Sequence, residues 1–253
     1  MASNSSTVRS SAHQNPSSSG YATWQQRAWF TGGCAAVTIT LARSVILTAA
    51  GAGASDSWWP WILLVGAAVA GYVASDFSSG IYHWAIDNYG SAATPFFGSQ
   101  VAGFLGHHHR PAEIVGEPIA SNLEIPSSYA TVAGIPINIL CGGNAAALGF
   151  MGAYAAASMF GQHFHMWAHT PKGRLPAAVV ALQDAGILLG RADHAAHHRP
   201  PFDCNYCIVS GLCNRVLERW RFFPALEAAV FAAVGVRPRS WSDPSLVING
   251  KNN

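Results

Sequence analysis

Between Asp56 and Asp76 the chain runs through SWWPWILLVGAAVAGYVAS without one charged side chain. About 20 such residues are what a helix needs to cross a bilayer core of roughly 30 Å, where a helix satisfies its own backbone hydrogen bonds. Trp58, Trp59 and Trp61 stand at the start of the run, where amphipathic rings favour the headgroup level. The run predicts a transmembrane helix that leaves the bilayer at Asp76.

Other stretches repeat the constraint. Residues 28–54 are apolar apart from Arg43, which has to pack inward or reach for the interface. After Glu124 no acid, lysine or arginine appears until Lys172, and Cys141, Gly142, Gly143 and Asn144 punctuate that interval. It predicts a hairpin of two short spans, the second at residues 145–161. LPAAVVALQDAGILLG and PALEAAVFAAVGV carry Asp184 and Glu227 and suit interfacial or packed helices. Residues 77–124, with Pro95, Pro111 and Pro118, predict short helices and loops. The fold class is therefore all-α, an integral membrane helical bundle of about four spans.

Composition agrees. Charged residues are 10% of the chain, against roughly 25% in ordinary soluble domains, and mean hydropathy is +0.21. A net charge of +2 raises no field that would draw nucleic acid. Five cysteines, an odd number spread over apolar and loop contexts, do not form a secreted disulfide framework. Residues 1–26 are serine-rich and precede the first acid, Asp56; a transit-like segment and a plain disordered tail both satisfy that pattern. The main domain is expected at 27–244 and a tail at 245–253.

Two hairpins of spans return the chain to the face it left. The connections on the opposite face, near residues 51–57 and 142–144, hold no lysine or arginine, and of 14 basic residues only Arg43 lies off the near face. That is the positive-inside pattern, which turns the near face toward the cytosol or an equivalent compartment such as a stroma.

On that face the histidines gather. His83 lies in SSGIYHWAIDNYG, His107 and His108 in GHHHRP, His165 and His169 in QHFHMWAH, and His194, His197 and His198 in DHAAHH. Residues three or four apart share a helix face, so HxxxH and the HxxH part of HxxHH each aim two imidazoles at one point. Imidazole suits iron, zinc, copper and nickel. Eight candidates are twice the usual four ligands of one structural zinc, and two metals are the natural count. A non-enzymatic membrane metal carrier would place ionisable ligands within its spans, whereas these gather just outside them. Asp87 follows His83 by four residues; it could orient a ligand imidazole or bind metal itself, and the orienting role is the one expected. Asp184, Asp193 and Asn205 are further candidates for orienting ligands, with Tyr206 beside the last box. A lone CxxC at Cys204 and Cys207 suggests small buried residues rather than redox chemistry. Gly66, Gly71, Gly149, Gly152 and Gly161 suit close helix approach.

The boxes resemble those of integral-membrane diiron desaturases and hydroxylases. GIYHWAIDNYG, GHHHRP, HFHMWAH, ALQDAGILL, HAAHH, NYCIVSG and GVRPRSWSDP, taken together and in order, are similar to the plant chloroplast fatty acid desaturase 4 family, itself related to plasmanylethanolamine desaturases. The resemblance extends from about Trp58 to Pro244. It implies that His83, His107, His108, His165, His169, His194, His197 and His198 hold two iron ions, with His109 and His163 as departures from the family pattern. It also implies oxygen-dependent formation of a trans double bond near the carboxyl end of the palmitoyl chain of phosphatidylglycerol. Electrons would come from a donor such as ferredoxin, in a chloroplast membrane with the boxes facing the stroma. An endoplasmic reticulum address would instead favour vinyl-ether formation in an ether lipid, and lipid hydroxylation is a third reaction the boxes serve.

Overall fold

A computed structural model describes residues 20–242. Most of the expected leader and the whole expected tail at 245–253 lie outside the described residues. Ten α-helices and no strands occur among those described: α1 (Trp24–Ser55), α2 (Trp59–Asn88), α3 (Gly98–His109), α4 (Ile119–Asn122), α5 (Glu124–Leu140), α6 (Ala145–His169), α7 (Ala177–Asp184), α8 (Arg191–His197), α9 (Leu212–Arg219) and α10 (Phe222–Val234). The all-helical class is as expected.

α1 starts ahead of the boundary placed at residue 27. Thr23 accepts a hydrogen bond from the Gln26 amide while the Gln26 side chain accepts one from the Thr23 amide, a reciprocal cap on the first turn. α2 opens with Pro60 in its first turn, where the missing N–H costs nothing. It then continues unbroken past Asp76 to Asn88, because no proline interrupts the stretch. Asp76 is fully buried inside α2, and residues 77–88, expected within a run of short helices and loops, are instead the last turns of this one long helix. The remainder, to residue 124, is the expected run of short helices and turns.

Among the described residues, α1 and α2 are the two helices both long and apolar enough to cross a membrane by length and composition. Only 28% and 22% of their most apolar windows are buried, so their apolar surfaces face outward rather than into a soluble core. α7 and α10 are too short to span.

The long helices pack as α2 against α6 and α1 against α5 and α6. Small residues set their spacing. A methyl at Gly71 would strike the Phe150 carbonyl and one at Gly149 the Leu64 side chain, so α2 and α6 meet backbone to backbone. Gly152 and Gly161 are also in close contact, whereas Gly66 faces open space. Arg43 turns inward: its guanidinium donates to the main-chain and side-chain oxygens of Asn138 at 2.9 and 2.8 Å and to the Gly142 carbonyl at 3.1 Å. A cation on those carbonyls complements the negative end of α5. At the other end of the bundle, Trp84, Tyr206, Cys207, Leu217 and Phe223 form a core that fastens the C-terminal segment to α2.

Candidate metal centre

Four helices bring their C-terminal turns together. α2 carries His83 and Asp87 near its end, α3 ends in His107, His108 and His109, α6 ends in His169, and α8 carries His194 and His197 with His198 as its cap residue. Helix C-termini present partial negative charge, a setting that favours cations.

The donor atoms divide into two groups. One comprises His107, His165, His169, His194 and His198; the other comprises His83, Asp87, His108 and His197. In the five-histidine group, Nε2 atoms are 3.0 Å apart for His107 and His165, 2.9 Å for His107 and His169, 2.7 Å for His169 and His194, and 3.1 Å for His194 and His198. In the four-donor group the Nε2 atoms of His83, His197 and His108 lie 3.2, 3.4 and 3.5 Å from Asp87 Oδ2. An ion with nitrogen ligands at about 2.1 Å holds neighbouring ligands about 3 Å apart, so both groups have the span of a metal shell.

Their protonation fits the same use. The Nδ1 of His83 faces the Tyr206 carbonyl at 3.0 Å, that of His197 the Cys204 carbonyl at 2.7 Å, and that of His165 the Gln162 side-chain oxygen at 3.4 Å. A carbonyl can only accept, so it keeps the proton on Nδ1 and leaves the inward Nε2 as a lone pair. Burial, then neighbouring imidazoles, lowers His107 and His198 to about 3 and His108 to about 2, and pushes His194 well down. These rings are neutral near pH 7. Lone pairs facing one another at 3 Å repel unless a cation lies between them. His83 Nε2 and both Asp87 oxygens are buried without a hydrogen-bond partner, as unfilled ligand positions would be. The residues present therefore fit a pair of metal ions.

The remaining candidates separate. Asp87 sits among the imidazoles with its oxygens aimed at them, at a ligand position rather than behind one. Asn205 donates to the Asp193 main-chain carbonyl at 3.1 Å and so ties the loop to α8, while the Asp193 carboxylate is exposed. Asp184 is at the surface, 3.1 Å from Lys172, and no site histidine pairs with it. His163 bonds Asn122 and meets Trp167 edge to face, and His109 is exposed; neither joins a donor group. His194 and His197 do not aim at one point as HxxH implied: the i,i+4 pair His194 and His198 shares one group, and His197 turns to the other. All five cysteines are free.

The supporting residue missed in the sequence is Asp76. Its Oδ1 accepts the amides of Ser210 and Gly211 at 2.8 and 3.0 Å, and its Oδ2 that of Cys213 at 2.9 Å. Ser79 Oγ accepts the Ile208 amide, and Cys207 closes on Gly80, where a methyl would meet its sulfur. Asp76, Ser79, Gly80 and His83 follow helical spacing, so one face of α2 holds both a ligand and the loop whose carbonyls orient it. That spacing was visible once α2 is continued past Asp76.

An all-helical chain whose apolar helices end in converging histidine clusters defines a class of membrane-associated metal-site proteins. Residues 72–241 match the sequence profile of the lipid desaturase domain, and the chain belongs to that family. It is 44% identical to the chloroplastic fatty acid desaturase 4 of Arabidopsis thaliana over 223 residues, covering 88% of this chain and 67% of the relative. Over 184 residues it is 32% identical to the plasmanylethanolamine desaturase of Myxococcus xanthus, covering 71% of this chain and 64% of the relative. No solved structure matches it. The protein is an enzyme, a lipid desaturase of the fatty acid desaturase 4 group.

Proposed function

We propose that this enzyme is a diiron, oxygen-dependent acyl-lipid desaturase that introduces a trans double bond near the carboxyl end of the palmitoyl chain of phosphatidylglycerol in a chloroplast membrane. The observation that carries the metal count is the division of eight histidines and Asp87 into two groups of ligand-like spacing. Imidazole with one carboxylate suits iron among the metals such a site admits. The substrate is supported by the 44% identity to the chloroplastic relative, set beside the 32% identity to the ether-lipid enzyme.

His107, His165, His169, His194 and His198 hold one ion, and His83, Asp87, His108 and His197 the other. Bound ferrous iron supplies dioxygen activation and hence the oxidising power to take two hydrogens from adjacent methylenes, with electrons from a donor such as ferredoxin and water as the other product. The chain contributes position. The carbonyls of Cys204 and Tyr206 fix two ring orientations, and the helix ends stabilise the added charge. The buried setting of His83, His165, His194 and His197 keeps bulk water away.

We place α1, α2, α5 and α6 as four spans with the clusters on the stromal side. Supporting this, Val132, Ile135 and Ile139 leave an exposed apolar stripe on α5, and α6, at 25 residues, is about 37 Å long. The turns at 56–58 and 141–144 then lie on the far face. Vinyl-ether formation is the second reading, favoured by the Myxococcus relative.

The test is fatty-acid analysis of phosphatidylglycerol from leaves that lack this activity and express the intact chain or its His165→Ala variant. A trans monounsaturated palmitoyl derivative should appear only with the intact chain. If neither changes that lipid while the purified protein holds iron, the substrate is wrong and ether lipids are assayed next.

A further inference from the structure

Three of the described arginines are half-buried, and two have their guanidinium groups engaged. Arg43 donates to the oxygens of Asn138 and Gly142, and Arg239 to the main-chain carbonyls of Asp87, Tyr89 and Gly90. Arg191 is different. Its Nη1 is buried with no hydrogen-bond partner, and none of the ion pairs among the described residues includes it. A guanidinium cannot shed its charge by losing a proton, so an unanswered donor withdrawn from water costs stability.

Its position gives that cost a use. Arg191 opens α8, and Arg191, His194 and His198 fall at i, i+3 and i+7, one face of the helix. Both histidines belong to the five-histidine group, and the arginine's charge also bears on His169 of that group. This group contains no carboxylate, whereas the other has Asp87. The acids of the surrounding segments are occupied or turned outward: Asp184 pairs with Lys172, Glu218 accepts the Asn205 amide, and Asp193 is exposed. The edge of the five-histidine group therefore presents a half-buried cation, one of its donors unanswered, with no anion of its own.

We propose that Arg191 binds the phosphodiester of the lipid substrate and thereby sets which methylenes reach the histidine clusters. This rests on the lipid-desaturase reading above. Carbons near the carboxyl end of an acyl chain are only a few bonds from the glycerol and its phosphate. A lipid reacting there must bring its headgroup to the metal centre itself. The planar fork of arginine matches phosphate oxygens in pairs, which supplies direction as well as charge. The same requirement holds for a vinyl ether, whose new bond also adjoins the glycerol linkage.

The experiment uses the iron-loaded full chain in detergent, with lipid binding followed by native mass spectrometry and thermal shift. The probes are phosphatidylglycerol and a monogalactosyl diacylglycerol with the same acyl chains but no phosphate. The wild-type chain should prefer the phospholipid by about ten-fold, the value of one charge-assisted contact. Arg191→Gln should erase that preference at unchanged iron content, and Arg191→Lys should restore part of it. Without lipid, Arg191→Gln should melt at the same temperature as wild type or higher, because the unanswered charge is gone. Retained preference in Arg191→Gln overturns the proposal. So does loss of iron with a lower melting temperature, which would make Arg191 a structural residue. If inorganic phosphate alone raises the wild-type melting temperature, and phosphatidylglycerol gives no preference, the site takes a soluble anion and the lipid assignment falls. Turnover is not needed, so failure of the desaturation assay is read separately.

Discussion

The two donor groups are built differently. His83, Asp87 and His197 are at most 5% exposed, include the site's carboxylate, and have two rings oriented by the carbonyls of the 204–206 loop. In the five-histidine group, His107, His169 and His198 are half-buried, and the Nδ1 atoms of His194 and His198 have no partner. The first group is held from behind by main-chain acceptors and Asp76. The second is held mainly by the helices that bear it, and it lies beside the unanswered charge of Arg191. A rigid, closed ion site next to a more open one is a suitable division where one side has to admit a substrate.

The largest effect should come from removing a donor. His194→Ala takes a fully buried ring from the open group and should lower turnover about a thousand-fold or more, with iron falling below two per chain by elemental analysis. Retention of both ions and full turnover would dissolve the distinction between the groups. Asp87→Asn should lower iron from about two toward about one per chain, because the closed group loses its charged ligand, while the metal-free protein keeps or gains stability once a partnerless buried carboxylate is neutralised.

Asp76→Ala tests the support. Three buried amides lose their acceptor, which should cost about 2–4 kcal/mol and loosen the carbonyls behind His83 and His197. Metal affinity of the closed group should fall about 10- to 100-fold, with the open group little changed. Equal weakening of both would show that Asp76 serves the whole bundle.

Acid acts on the metal-free site and tests the neutral rings. In the unfolded chain histidines take a proton near pH 6.5, whereas His107 and His198 in the folded metal-free site do so at about 3. A lowered folded value means the unfolded state binds the proton first, so stability is complete above about pH 6.5 and declines as the pH falls toward 3. Thermal melts of the metal-free protein from pH 8 to 4 should be level and then drop; a decline on the alkaline side would contradict the neutral assignment.

Much of this was legible in the residues. Apolar runs marked α1 and α2, the CGGN turn separated α5 from α6, and helical spacing singled out His165, His169, His194 and His198, while His83, His107 and His108 were named by their clustering and by the family resemblance. Asp184 was misjudged because a carboxylate near a box in sequence can pair with any cation at the surface, and Lys172 was within reach. Asp76 was read as the end of a span because a charge normally leaves the bilayer. Its three amide donors come from residues 210–213, more than a hundred positions away, and local pattern carries no trace of them.

Sequence alone determined which side chains were available and on which helix faces, since apolar runs and i,i+4 spacing act within one element. Only the tertiary structure decided the partition. His107 and His108 are neighbours in the chain yet serve different groups, because successive residues on a helix project about 100° apart. His197 parts from His194 and His198 for the same reason, and Asp87 enters a group of histidines drawn from three helices. Where four helix ends meet is set by backbone contacts such as Gly71 against Phe150, far from the donors themselves.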